Sequence, residues 1–165
     1  MENQAHRLYA LLKEIVECCQ EREAIQAKHY GLTIAESRCL TAIKLDHCRT
    51  TTDIAEKLFV AKSRVTRIVD GLVEKGLVNR GEDASDRRIR LVHLTTKGSE
   101  ITDKLITFMY FLHNQVIEAL PASYRHETIA ALGALKEAMN SVRIRLKNGE
   151  ITMAELLPEL TEKAG

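Results

Sequence analysis

The sequence lacks any long apolar segment. No run reaches the about 18 consecutive apolar residues that a membrane-spanning helix needs, and charged residues interrupt the N-terminal stretch where a signal peptide would need an unbroken apolar core. We therefore expect a cytoplasmic protein that has no membrane partner.

The motifs of common catalytic sites are also missing. The sequence contains no G-x-G-x-x-G, no Walker A motif, no H-E-x-x-H and no nucleophile elbow. No pair of carboxylates has a spacing suited to acid–base chemistry. These absences predict that the chain is not an enzyme and that it uses no cofactor.

Cysteines are few and follow no disulfide framework. Cys18, Cys19, Cys39 and Cys48 are too sparse for the cysteine-dense scaffold of a small secreted protein. Reduced and mostly buried thiols are the simplest interpretation. Cys39, His47 and Cys48 lack the paired spacing of closed zinc sites, so no metal site is predicted.

The net charge is small, but it is unevenly distributed. The formal charge of +1 by itself argues against a nucleic-acid partner. Between residues 57 and 97, however, ten basic residues stand against five acidic ones, a local net of +5 that leaves −4 for the rest of the chain. Such an asymmetry is typical of one phosphate-facing surface on a neutral-to-acidic scaffold.

Apolar periodicity predicts helices on both sides of this basic segment. Thr33 and Glu36 have the spacing of a capping box, which marks a helix beginning at residue 34. Gly76 is predicted to end another helix as a left-handed cap. The predicted helices cover about 4–29, 34–46, 51–58, 62–75, 99–120 and 123–147.

Between residues 77 and 94 the apolar period becomes alternating. Segments 77–80 and 90–94 are predicted as two short antiparallel strands, joined by an arginine-rich loop. Ahead of them, a short helix, a tight turn at Phe59-Val60 and a second helix form a helix-turn-helix, whose second helix fits a major groove about 12 Å wide. The hairpin adds a basic wing that can reach a minor groove or a phosphate.

The stretch from Thr50 to Gly98 resembles the DNA-binding core of the MarR family of regulators. Its most specific part is DASDRR at residues 83–88, followed by Leu94-Thr95, which is similar to the family's D-x-x-D-x-R wing signature. The flanking helices extend the resemblance over residues 4–147. Ala61 departs from it, because such sequences often carry a serine there that caps the recognition helix.

The resemblance implies a DNA-contacting surface on the second helix and the wing. Its members are Lys62, Ser63, Arg64, Thr66, Arg67, Arg87, Arg88 and Arg90. Arginine can pair bidentately with guanine, serine and threonine contact phosphates or bases with little preference, and Lys62 is expected to contact phosphate. Asp83 and Asp86 are interpreted as braces for a wing arginine, with plain turn formation as the alternative for Asp86.

The long outer helices predict self-association, because their apolar stripes would stay in water without a partner subunit. A two-fold dimer presents two recognition helices to half-sites about 34 Å apart, so the expected partner is double-stranded DNA with a pseudo-palindromic operator.

The predicted fold is mainly α, of the α+β type, with a winged helix-turn-helix core and long N- and C-terminal dimerisation helices. Its parts are an N-terminal dimerisation helix in 1–32, the winged helix-turn-helix domain in 33–98, C-terminal dimerisation helices in 99–149 and a tail in 150–165.

The resemblance also implies a function, that of a sequence-specific transcriptional repressor released from DNA by a small-molecule effector. His29, Tyr30 and Arg38 are candidates to hold a carboxylate or phenol in a cleft between the dimer helices and the winged domain, and a helix-end or surface role is the alternative for each.

Two other functions stay open. One is a protein-interaction module that uses the winged-helix fold without DNA, and the other is a redox sensor based on Cys18 or Cys19.

Overall fold

The computed structural model describes residues 2–82 and 90–152. In these ranges the chain forms six helices and one two-stranded antiparallel sheet. The elements are α1 (Glu2–His29), α2 (Ile34–Leu45), α3 (Thr51–Leu58), α4 (Lys62–Glu74), β1 (Val78–Glu82), β2 (Arg90–Leu94), α5 (Thr96–Ala119) and α6 (Ala122–Lys147). The predicted fold class, mainly helical with a small hairpin, is confirmed.

The predicted elements are all present, and their ends move by at most three residues. The largest change is at α5, which begins at Thr96 because the hydroxyl of Thr95 accepts a hydrogen bond from the Gly98 N–H at 2.9 Å and so caps the helix. Residues 83–89 of the predicted wing loop, 81–89, and most of the predicted tail, from residue 153 onward, lie outside the described residues.

Reciprocal capping starts both α2 and α3. The hydroxyl of Thr33 accepts from the Glu36 N–H at 3.2 Å, and the Glu36 carboxylate accepts from the Thr33 N–H at 2.7 Å, as predicted. Thr50 and Asp53 repeat this arrangement at α3, with distances of 3.1 and 2.9 Å. Burial raises the pKa of Asp53, but the hydrogen bonds from Thr50 and Arg49 outweigh it and hold that pKa below its usual value.

The chain divides into two compact units, residues 1–112 and residues 113–165. The first unit contains the core, which is formed by α2, α3, α4 and the hairpin with contributions from α1 and α5. Its fully buried apolar side chains are Cys39, Leu40, Ile54, Val65, Val69, Leu72, Val78 and Val92. These residues fix the relative positions of the helix-turn-helix and the hairpin.

A glycine brings the start of α5 against the hairpin. A Cβ added to Gly98 would lie 1.8 Å from the carbonyl oxygen of Leu77, far inside van der Waals contact. Gly98 itself is buried. Only a residue without a side chain therefore allows this approach of two backbone segments.

The second unit is described for residues 113–152 and contains the end of α5 followed by α6. The Arg125 guanidinium closes the turn between them, donating hydrogen bonds to the carbonyls of Leu120 at 3.2 Å and Glu118 at 3.0 Å. No residue of α6 is buried. Across the described parts of both units, no helix combines the length and the apolar character needed to cross a membrane.

Candidate nucleic-acid interface

α4 divides its side chains between the core and solvent. Val65, Val69 and Leu72 have no exposed surface, so the helix rests on the core through three apolar residues at helical spacing. The members of the predicted DNA-contacting set that lie on α4 are all exposed: Lys62, Ser63, Arg64, Thr66 and Arg67. The core thus fixes the helix while its polar side chains stay accessible.

The N-terminus of α4 has no side-chain cap. Ala61 occupies the N-cap position in an extended conformation and makes no capping hydrogen bond, which confirms the departure seen in the sequence. The first backbone N–H groups of a helix have no partner within the helix itself. An anion near this end would be stabilised by those N–H groups and by the helix dipole.

The C-terminal end of α4 is anchored by a charge pair that the sequence analysis missed. Lys75 Nζ lies 2.7 Å from Glu36 Oε2, and the two residues are 39 positions apart, so no local pattern indicated the contact. Burial raises the pKa of Glu36, but hydrogen bonds from Lys75 and Thr33 outweigh it, so the pKa lies below its usual value. Gly71 faces this carboxylate, and a Cβ there would come within 3.1 Å of Glu36 Oε1.

A glycine in the left-handed conformation caps the C-terminal end of α4, as predicted. Gly76 has a φ of +68°, and its N–H donates to the Val73 carbonyl at 2.8 Å. The next N–H, of Leu77, donates to the Leu72 carbonyl at 2.9 Å, and the chain then enters β1. The cap therefore sets the direction in which the hairpin leaves α4.

The β1–β2 hairpin, which we call the wing, is tied to α4 by an arginine. Arg80 on β1 forms an ion pair with Asp70 of α4, and its guanidinium lies 3.5 Å from the carbonyl oxygen of Thr66. At the other end of the wing, Glu82 is paired in register with Arg90, and their side chains form an ion pair at 2.6 Å. The ion pair between Arg80 and Asp70 orients the hairpin relative to α4.

The predicted wing residues are only partly described. Arg90 is the first residue of β2, next to the loop of the wing, and it is exposed and paired with Glu82. Asp83, Asp86, Arg87 and Arg88 lie outside the described residues.

Two of the three candidate effector residues lie together. The rings of His29 and Tyr30 are in edge-to-face contact with centroids 4.9 Å apart. Both line a cavity of about 200 Å³ that Phe108 of α5 also borders. The structure therefore places an aromatic pair from the end of α1 against α5.

Arg38 is not part of that cavity. It borders a separate one of about 150 Å³, together with Leu58, Leu105 and other residues. Its guanidinium is paired with the carboxylate of Glu23 on α1. The three residues predicted to hold one effector thus do not line a common cavity.

The cysteines are less buried than the sequence suggested. Cys39 and Cys48 are buried, but Cys18 is exposed and Cys19 is half-buried. The expectation of mostly buried thiols is therefore wrong for α1, because the apolar face of that helix is itself largely exposed. Burial raises the pKa of the Cys39 thiol to about 12, whereas the sulfur of Cys19 accepts a hydrogen bond from Arg22 at 3.1 Å.

Known proteins are similar to part of this sequence. Residues 30–89 match the MarR family. The multiple antibiotic resistance protein MarR of Escherichia coli K12 is 36% identical over 73 residues, which are 44% of this chain and 51% of that protein. The chain thus spans about half the length of this curated relative. Other curated relatives are described as HTH-type transcriptional regulators. This is the class of protein that the sequence analysis predicts.

Solved structures share the fold over most of the chain. A MarR family protein from Bacillus stearothermophilus superposes with a TM-score of 0.75 at 23% identity, covering 85% of this chain and 98% of that one. FabT of Streptococcus pneumoniae, solved in complex with DNA, also gives a TM-score of 0.75, at 20% identity, covering 84% of this chain and 99% of its own. Similarity at this level of identity shows a shared architecture.

Proposed function

We propose that the chain is a member of the MarR family of winged helix-turn-helix regulators, which its residues 30–89 match, and that it binds double-stranded DNA and regulates transcription in a sequence-specific manner. One observation carries the proposal: α4 exposes its polar and basic side chains while three apolar residues hold it on the core. That FabT, a protein of the same fold, was solved in complex with DNA supports it. Such a regulator acts in the cytoplasm, where a bacterial chromosome lies.

The exposed residues of α4 have different proposed roles. Arg64 and Arg67 read guanine through bidentate hydrogen bonds, and Lys62 at the helix start contacts phosphate. The hydroxyl of Thr66 donates to the Lys62 carbonyl at 3.1 Å, which leaves its oxygen free to accept a hydrogen bond from the DNA. Ser63, one turn away, contacts a phosphate or a base edge.

The wing supplies the second part of the surface. Arg87, Arg88 and Arg90 contact the neighbouring minor groove or its phosphates, and Asp83 and Asp86 brace them. Arg90 reaches DNA only by sharing or leaving its pair with Glu82, which costs little because both side chains are exposed.

A homodimer is proposed from the outer helices. Large apolar side chains on α1 and α6 are exposed, among them Leu8, Leu11, Ile15, Leu132 and Met139. Apolar surface of this extent is stabilised when a second subunit covers it. Residues 1–32 and 99–149 then form the dimerisation helices, residues 33–98 form the winged domain, and the operator is a pseudo-palindrome.

Repression relieved by a small molecule completes the proposal. The cavity at His29, Tyr30 and Phe108 suits an aromatic ligand, because its lining is largely aromatic and apolar with the His29 ring as a polar group. Arg38 offers a carboxylate site in the neighbouring cavity only if its pair with Glu23 opens. Ligand binding at either place would act on α1 and, through it, on the winged domain.

Selection of bound sites from random DNA with the purified full chain tests the function. We expect a pseudo-palindromic consensus, and we expect affinity for it to fall steeply with rising salt as phosphate counterions are released. Enrichment of no sequence, together with affinity that does not depend on salt, would instead favour a protein-interaction module.

A further inference from the structure

An open groove of about 480 Å³ lies where the segment joining α2 to α3 meets strand β2. His47 and Arg49 line it from that segment, and His93 lines it from the strand. No described residue that lines the groove is acidic. Its volume falls in the range of about 300–1,000 Å³ that small-molecule sites occupy.

Backbone hydrogen bonds hold the joining segment against α2 and the strand. The Cys48 N–H donates to the Ala42 carbonyl at 3.3 Å, and the Arg49 carbonyl accepts from the Val92 N–H at 2.7 Å. Cys48 is buried, whereas His47 and Arg49 on either side of it are exposed. The segment is thus anchored at its middle, with a basic side chain before and after the anchor.

The basic side chains of the groove have no counter-charge in the described part of the chain. Neither an ion pair nor a hydrogen bond joins the side chain of His47, Arg49 or His93 to another described residue. The acids closest in sequence are engaged elsewhere. Asp46 forms an ion pair with a lysine of α3 at 2.6 Å, and Asp53 accepts from two backbone N–H groups just before α3. Unbalanced positive charge at an open groove attracts an anion.

Phosphate is the anion that these groups suit best. A guanidinium pairs bidentately with phosphate oxygens, and imidazole gains its positive charge near neutral pH, where a phosphate monoester carries close to two negative charges. Ile43 and Leu94, both half-buried, also line the groove and offer apolar surface to the rest of a ligand. We propose that the groove binds a small phosphate monoester, with the phosphate on Arg49 and the two histidines and an apolar substituent against Ile43 and Leu94.

This site is separate from the cavity at His29 and Tyr30, with which it shares no lining residue, and it does not depend on the proposed DNA binding. Arg49 directly precedes Thr50, the N-cap of α3, and its carbonyl is bonded to β2. A ligand on the Arg49 guanidinium therefore connects the start of the helix-turn-helix to the wing.

Phenyl phosphate, a small monoester with an apolar ring, is the probe for the test. It is titrated into the full-length protein at neutral pH while the ring signals of the six histidines are followed by NMR. We expect saturable shifts at His47 and His93, assigned from His47→Asn and His93→Gln, and no change at the other four. Inorganic phosphate, which lacks the apolar ring, should bind several-fold more weakly.

Matched variants separate the site from a general effect of charge. Arg49→Gln should weaken binding of phenyl phosphate about tenfold, because it removes a charged donor, and it should melt as the wild type does, because the Arg49 side chain is exposed. His47→Asn should also weaken binding, and asparagine tolerates the φ of 54° at this position. Arg7→Gln removes an exposed arginine from α1 and should bind as the wild type does.

Three results would overturn the site: no saturable shift at His47 and His93, equal shifts at all six histidines, or equal losses in Arg49→Gln and Arg7→Gln. If the two histidines respond to a short random-sequence duplex but not to phenyl phosphate, the groove takes a DNA phosphate and the small-molecule site is overturned. A protein that selects no DNA sequence but binds phenyl phosphate here would lose the proposed regulatory function and keep this site.

Discussion

The ammonium group of Lys75 lies 2.7 Å from the Glu36 carboxylate and 2.9 Å from the carbonyl oxygen of Gly31. One side chain at the end of α4 therefore holds both the start of α2 and the turn that follows α1. Because α4 carries the proposed DNA contacts, this group links the outer helix to the recognition helix. It connects the turn at Gly31, which directly follows His29 and Tyr30, to the end of α4.

Removing this ammonium group should destabilise the fold. Lys75→Ala leaves the buried Glu36 carboxylate without its charged donor, and we expect the free energy of unfolding in urea to fall by about 1–3 kcal/mol. Lys13→Ala is the matched control, because Lys13 pairs with Glu17 at 3.8 Å on the surface of α1. That variant should stay within about 0.5 kcal/mol of the wild type. If the two changes lowered the free energy of unfolding equally, the burial of Glu36 would add nothing to the stabilisation by its ion pair with Lys75.

The same carboxylate should make stability depend on acid. Its pKa is lower in the folded state than the usual 4.5, because the hydrogen bonds from Lys75 and Thr33 outweigh burial. The unfolded chain therefore takes up this proton first, and the stabilisation by Glu36 is complete above 4.5 and is lost as the pH falls through its folded-state pKa. Unfolding free energies of the wild type and Glu36→Gln should thus differ most near neutral pH and converge in acid. A constant difference across the range would contradict the lowered pKa.

Arg67 and Lys62 should affect DNA binding in different ways. Arg67→Ala is expected to weaken binding to the selected site by about 1–3 kcal/mol and to relax base preference, because it removes the proposed base contact. Lys62→Ala should weaken all sequences alike and reduce the dependence on salt. Fluorescence titrations on the selected site and on random DNA measure both effects. The division of roles is wrong if each variant loses the same affinity on both DNAs.

The contact of Gly98 with Leu77 should not tolerate a methyl group. Gly98→Ala places a Cβ against a backbone carbonyl that cannot move aside on its own, and we expect a loss of about 1–3 kcal/mol in unfolding free energy. Gly133→Ala, within α6, meets no atom within 4 Å. It should stabilise the protein by about 0.5–1 kcal/mol, because alanine is the better helix former. Calorimetric melting of the two variants should shift in opposite directions.

Thiol labelling should separate the cysteines. With its pKa raised to about 12 by burial, Cys39 holds almost no thiolate at mildly alkaline pH. We expect iodoacetamide to modify the exposed Cys18 in the native protein and to reach Cys39 only after denaturation. Mass spectrometry of peptides from native and unfolded samples gives the measurement. Early alkylation of Cys39 in native protein would show that the core opens locally.

Local signals in the sequence predicted most of the fold. Thr33 and Glu36 mark the start of α2, Gly76 marks the end of α4, and alternating residues mark the wing, because each depends only on neighbours in the chain. The DNA-contacting set on α4 was implied by the family resemblance, and its members are exposed in the structure.

Contacts between distant residues could not be predicted in this way. Nothing near Lys75 in the sequence indicates Glu36, and nothing near Asp70 indicates Arg80 on β1. Phe59 was expected to form part of an apolar turn, but hydrophobicity alone does not reveal that its ring faces solvent. The separation of Arg38 from His29 and Tyr30 likewise depends on how α1, α2 and α5 pack.

The close approach at Gly98 has a mechanical consequence. Because Gly98 has no side chain, the backbone of α5 packs directly against the carbonyl group of Leu77. A twist of α5 about its own axis must then carry the first strand of the hairpin along. Rotation of the outer helix at this point would therefore act directly on the hairpin and, through Leu77 and Val78, on the core.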